Sequence, residues 1–302
     1  MTMNTSNPEE LAAIPQPTWE TYRSRIDEYL DGYRAFSALK TSLEMGLFDR
    51  TVSPAGPEEI ASELGTDAML TKLLCASLAE MEFLNGKDGK YVNTDAARHY
   101  LVSASPYNQI DSVLMSAHRA SRWEDLGSYL KDGPEVLPQE EYFNEAWISS
   151  IAMGSKCGSV GRVIKYLEEH IDLPEKGAFI DVGGGHGLYV IGLCARHRGL
   201  RGRVFDRQRI LTVAERYSQE YGIPLELLPG DLYESPIPGG NDIMYTSFNP
   251  ACSDPELVPN IDAALEPGGM LVVRRHTKTA TEGALRNLEW NLRVWDGFER
   301  GG

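Results

Sequence analysis

The chain has 302 residues, about twice a typical ~150-residue domain, so two domains or one large one are expected. Its 29 Lys+Arg against 44 Asp+Glu leave a net charge of −15, and 42% of its residues are hydrophobic; this is a globular composition that disfavours nucleic acid or an anionic membrane as its main partner. No apolar run approaches the ~18 residues of a membrane span, and the polar start Met1–Glu10 lacks the basic and apolar regions of a leader, so a cytoplasmic location is expected.

Residues 1–16 read as a flexible arm without apolar period. Residues 17–105 read as a helical, winged-helix-like domain. Ala35 to Phe48 spaces apolar residues by three and four around a glycine stop at Gly46. Pro57–Gly65 and Asp67–Leu74 form two short helices about a tight turn, and Phe83-Leu84 with Lys90-Tyr91-Val92 close a hairpin on Gly86–Gly89. The second helix, Thr66 to Glu82, has one Lys and no Arg, too few cations to grip phosphates, so the module is expected to dimerise or cap a substrate.

Residues 106–171 stay helical apart from Lys131–Glu135 and read as a linker and substrate cap. From 172 to 302 the texture changes to short apolar runs alternating with helices: Ala178–Val182, Arg203–Phe205, Leu225–Leu228, Ile243–Thr246 and Met270–Arg274. That alternation predicts an α/β fold, a Rossmann-like doubly wound parallel sheet with right-handed crossovers. Cys75, Cys157, Cys194 and Cys252 form no CxxC and read as small apolar residues. No Asp/His cluster has metal-ligand spacing, so no metal is expected.

The strongest chemical signal is Asp181-Val182-Gly183-Gly184-Gly185-His186-Gly187, where a buried strand turns into a helix. Glycines there let the backbone turn sharply and approach a ligand at a helix N-terminus. The second strand ends in Asp206, followed by Arg207; an acid there can take both ribose hydroxyls. The third ends in Gly230-Asp231-Leu232, where the carboxylate can accept from an adenine amino group while Leu232 covers the ring. Together these strand ends describe a nucleoside pocket. His186 is expected to pack or bond locally.

With these motifs the chain resembles the S-adenosylmethionine-dependent O-methyltransferases of the plant caffeate and bacterial polyketide type, from about Tyr33 to Arg300, including the Leu265–Gly269 turn and Trp290. The resemblance implies a winged-helix dimerisation domain, a homodimer, S-adenosylmethionine as cofactor, and Met153 packing near the sulfonium. It also exposes departures. The family's catalytic His falls on Pro250 in Ser247–Asp254, and the Glu that orients it falls near Arg275; the late-helix Glu is kept as Glu299. His276 is the expected substitute base, Arg275 an anchor for an acidic substrate, Asn249 an orienting amide, and Trp290 a substrate contact.

Family members continue with a helix and hairpin that complete a sheet of order 3-2-1-4-5-7-6. This sequence stops at Gly302, so the fifth strand is expected to be an edge that a second polypeptide or a rearranged segment covers. The leading expectation is methyl transfer to a small aromatic or anionic acceptor. Two alternatives stand beside it: the same fold with diverged chemistry (decarboxylation, hydroxylation or pericyclic), and a non-catalytic subunit that needs a partner chain.

Overall fold

The computed structural model describes residues 12–275 and 283–297, so most of the N-terminal arm, His276 and Glu299 lie outside the described residues. The chain divides into two compact units, Met1–Ile110 and Asp111–Gly302.

In the first unit α1 (Trp19–Glu44) is longer than the amphipathic run that marks its end, and Gly46, at φ 69°, stops it. α2 (Leu47–Arg50), α3 (Pro57–Leu64) and α4 (Ala68–Glu80) follow. Gly65 turns at φ 67°, and the Asp67 carboxylate caps α4 by accepting the Leu70 N–H at 2.8 Å. β1 (Leu84–Lys87) and β2 (Lys90–Asn93) pair antiparallel, and α5 (Asp95–Tyr100) ends the module. Leu47, Phe48, Ile60, Leu78 and Leu84 are buried. Buried Asn93 ties the wing to them, donating to the Phe48 carbonyl at 2.8 Å and accepting from the Thr51 hydroxyl at 2.6 Å.

Next in the chain come α6 (Ile110–Ala120), α7 (Leu126–Asp132), β3 (Glu135–Leu137), α8 (Gln139–Tyr142), α9 (Glu145–Gly154) and α10 (Val160–His170). From Asp111 on, these elements belong to the second unit. α9 and α10 are separate helices: Gly158, at φ 98°, breaks the turn between them.

The sheet is the expected one. β4 (Gly177–Val182), β5 (Leu200–Asp206), β6 (Glu226–Pro229), β7 (Asn241–Ser247) and β8 (Leu265–Arg274) are parallel in the order β6-β5-β4-β7-β8. α11 (Leu188–Arg196) and α12 (Gln208–Tyr221) cross over on one face, where Phe179, Leu193, Val204, Leu211 and Tyr245 form a core. α13 (Val258–Ala264) covers the other, over Ile180, Val182, Phe205 and Met244. Strand alternation sends Phe179 and Ile180 to these opposite cores, which is why β4 reads as an unbroken apolar run.

One pairing has no precedent in the sequence pattern. β9 (Arg293–Trp295), after α14 (Ala284–Leu292), runs parallel to β3, with Glu135 opposite Arg293 and Leu137 opposite Trp295. Among the described residues β8 is the sheet's outer strand beside β7, and no strand pairs with its other edge.

Candidate functional site

The loop between β4 and α11 is shaped by its glycines. Gly183, Gly185 and Gly187 have φ values of 68°, 51° and 69°, in the left-handed region that side chains disfavour. A Cβ at Gly184 would stand 2.7 Å from the Asp181 carboxyl carbon, and one at Gly183 would run into the Asn249 amide. At Gly185 the nearest atom is Ile148 Cγ2, at an ordinary 3.6 Å, so here the loop meets α9 without crowding.

Three acids stand at consecutive strand ends. Asp181 is 1% exposed, and neither carboxylate oxygen has a hydrogen-bond partner among the described residues. Burial, reinforced by the charge of Asp206, pushes its carboxyl well above the usual range. Asp206 accepts the Gly185 N–H at 2.9 Å and the Arg207 N–H at 2.8 Å, one on each oxygen; burial still outweighs these bonds and raises it. Asp231 behaves oppositely. Although partial burial works against its charge, the Tyr233 amide at 3.0 Å and Arg207 Nε at 2.8 Å hold it below the usual carboxylate range. Arg207 also donates to Gln139 on α8. Gly230 is obligatory beside Asp231, because a Cβ there would overlap the Phe205 ring. Leu232 packs half-buried against the Val182–Phe205 core.

The other residues singled out by sequence fall in several places. Met153 is half-buried in α9. Asn249 has both ends of its amide engaged: Nδ2 donates to the Val182 carbonyl at 2.7 Å, while Oδ1 accepts from the Thr246 hydroxyl at 2.8 Å and the Ala251 N–H at 3.0 Å. Arg275 is exposed at the end of β8. Its neighbour Arg274 turns inward, donating to the Tyr189 hydroxyl at 2.6 Å and the Ser159 hydroxyl at 2.9 Å. His186 is buried; Nδ1 accepts the Leu188 N–H at 3.1 Å, which leaves Nε2 to donate to Ser155 Oγ at 3.2 Å. Burial, with help from Lys156, lowers its pKa to about 4, so the ring is neutral near pH 7.

Trp290 lines a cavity of about 240 Å³ that sequence reading does not find. Trp147 meets Trp290 edge-on at 6.2 Å, and Tyr142 lies 5.6 Å from Trp147. Arg119, stacked on Trp147 at 5.8 Å, and Arg122 share the wall with His118, Glu141 and Glu289. α9 connects cavity and loop, since Trp147 precedes the Ile148 that touches Gly185. Among the described residues no group of His, Cys, Asp and Glu is placed to hold a metal ion, and no helix is long and apolar enough to cross a membrane.

A parallel sheet with a glycine loop and acids at its carboxyl edge is a Rossmann-like arrangement, a class of fold that takes ligands outside the carboxyl ends of its strands. Residues 27–103 match the family model of the O-methyltransferase dimerisation domain. The chain is 27% identical over 256 residues to the N,N-dimethyltransferase OxyT of Streptomyces rimosus, covering 80% of this chain and 74% of that protein. It is 26% identical over 224 residues to the 3-hydroxy-5-methyl-1-naphthoate 3-O-methyltransferase of Streptomyces sahachiroi, covering 70% and 63%. The crystal structure of human N-acetylserotonin methyltransferase in complex with S-adenosylmethionine has the same fold, with a TM-score of 0.65 and 21% identity over 86% of this chain and 81% of that one. Residues 27–103 thus carry an O-methyltransferase dimerisation domain, and over most of its length the chain is similar to the methyltransferases named here. None of these comparisons points to a second polypeptide on the edge of β8.

Proposed function

We propose that the chain is a methyltransferase that moves the methyl group of S-adenosylmethionine to a hydroxyl of a small aromatic acceptor. The observation that carries the reading is Asp181, whose two buried carboxylate oxygens, directly beneath the glycine loop, lack a partner among the described residues. An uncompensated acid there suits a cationic amino-acid end, and Asp206 keeps a free lone pair on each oxygen for a ribose diol. Gly183, Gly184 and Gly185 shape the loop around the amino-acid end, with Met153 on its α9 side. Gly230, Asp231, Leu232 and Arg207 form the adenine end. The bound cofactor supplies a methyl on a cationic sulfur: the new O–C bond forms as the S–C bond breaks, its electron pair stays on sulfur, and the acceptor oxygen loses its proton.

The chain's own task is then to orient the acceptor, exclude water and receive that proton. The aromatic walls of Trp147, Tyr142 and Trp290 orient a flat ring beside α9. His276 is the proposed base and Glu299 a second catalytic candidate; His118 and Glu289 are titratable groups of the cavity wall. Aromatic acceptors in the relatives' names favour this reading over diverged chemistry or a non-catalytic subunit.

The match of residues 27–103 to a dimerisation domain supports a homodimer, and Trp19, Tyr22, Tyr29 and Tyr33 offer exposed apolar surface at helical spacing on α1. The test is transfer of labelled methyl from S-adenosylmethionine to hydroxyaromatic acceptors, with Asp206→Ala and His276→Ala as variants. Incorporation that Asp206→Ala abolishes supports the reading. Cofactor binding without any transfer, over a broad acceptor panel, would return the diverged alternatives.

A further inference from the structure

The aromatic cavity carries a charge pattern opposite to that of the whole chain. The protein is at −15, yet arginines outnumber carboxylates four to two in the cavity wall: Arg119, Arg122, Arg286 and Arg293 against Glu141 and Glu289. Arg293 is already committed to Glu135, outside the wall. Arg119 and Arg122 are not neutralised in this way.

Arg122 is half-buried and makes no hydrogen bond or salt bridge among the described residues. Burial, then repulsion from Arg293, works against its charge and outweighs the attraction of Glu135, which is already bonded to Arg293. Arg119 Nη2 donates to the Ser116 hydroxyl at 3.1 Å, a neutral partner, and its buried Nε has no partner among the described residues. Two half-buried guanidinium groups that form no ion pair among the described residues gain from an anion that completes them. The rest of the wall is aromatic, with Arg119 itself lying over the Trp147 ring.

We propose that Arg119 and Arg122 anchor a carboxylate on the aromatic acceptor, so that the preferred substrate is a one- or two-ring hydroxyaromatic acid. Its ring lies among Trp147, Tyr142 and Trp290, and its carboxylate takes the uncommitted guanidinium donors. Low local dielectric strengthens that pairing, and the acid's own charge is what a neutral phenol of the same shape lacks. The proposal rests on the methyltransferase reading for the reaction, but the binding it states is independent of the cofactor. At about 240 Å³ the cavity is small for a ligand pocket, which limits the acceptor to a compact ring system.

The experiment is a titration of the full-length protein, followed by tryptophan fluorescence and calorimetry, with 3-hydroxybenzoate and 3-hydroxy-2-naphthoate. Each is paired with its neutral carboxamide. The expected result is that at least one acid binds ten-fold or more tighter than its amide. Arg122→Gln and Arg119→Gln should each remove most of that preference, Arg122→Lys should restore part of it, and S-adenosylhomocysteine affinity should be unchanged in all three. Retained S-adenosylhomocysteine binding shows that a variant is folded.

Equal binding of acid and amide, a preference that survives both substitutions, or no binding of either acid overturns the proposal. If the acids bind selectively while S-adenosylhomocysteine does not bind, the anion site stands and the methyltransferase reading fails. If S-adenosylhomocysteine binds and acids are not preferred, the reading stands and the anion site fails.

Discussion

Asn249 donates to the carbonyl of Val182 at 2.7 Å and leaves no room for a side chain at Gly183, so the loop after β7 fixes the loop after β4. Gly183→Ala therefore meets both a left-handed φ and an overlap with the Asn249 amide. It should cost about 2–4 kcal/mol in denaturant unfolding. Asn249→Ala should cost about 1–2 kcal/mol, from the unpaired Val182 carbonyl and the lost cap on Ala251. If Asn249 is chiefly this latch, kcat per folded molecule will fall little; a drop in kcat at unchanged stability would make it an orienting amide instead.

His186 gives the fold a pH dependence of known sign. Its pKa is near 6.5 when unfolded and about 4 when folded, so the unfolded chain takes up a proton first as pH falls. The stability this residue contributes is present above pH ~6.5 and is lost progressively toward pH 4, roughly 3 kcal/mol in all. Urea unfolding of the native protein and His186→Asn, compared at pH 7.5 and pH 4.5, should show the smaller loss in the variant. Parallel pH profiles would contradict the buried neutral imidazole.

Asp181 has the opposite sign. Its folded carboxyl is raised, so its contribution is favourable below the ordinary carboxylate range and is lost as pH rises through the folded value. Asp181→Asn should therefore be at least as stable as the native protein at pH 8 without ligand. The same variant should bind S-adenosylhomocysteine ten-fold or more weakly. A variant that is both destabilised at pH 8 and unaffected in binding would show that the acid serves packing alone.

The Arg207–Asp231 pair is partly exposed, with side chains 33% and 23% accessible, so its worth is modest. Arg207→Ala should lower Tm by roughly 2–4 °C, from the loss of about 1 kcal/mol. That difference should shrink in 0.5 M salt, as measured by calorimetric scans at both ionic strengths.

The proposed cofactor end of the site was legible because each part lies next to its own signal. Asp181 adjoins the glycines that crowd it, and Asp206 and Asp231 close apolar strand runs whose parallel order follows from strand–helix alternation. The acceptor end was not legible. Arg119, Tyr142, Trp147 and Trp290 come from four helices and meet only through packing, and no spacing in the chain links them. The β3–β9 pair brings residues 158 positions apart into register, with Arg293 bonded to Glu135. Three-residue strands have too little alternation to be seen. On β8, alternation puts Arg274 and Arg275 on opposite faces, but only the structure shows that the inward arginine is spent on Tyr189 and Ser159.

The central claim is that the glycine loop and Asp206 bind the cofactor, and calorimetric titration of the purified protein with S-adenosylhomocysteine tests it most directly. The account predicts one site per chain with micromolar affinity, weakened ten-fold or more by Asp206→Ala while the variant remains folded. A folded native protein that binds no S-adenosylhomocysteine at millimolar concentration, or one whose binding is indifferent to Asp206→Ala, would contradict it.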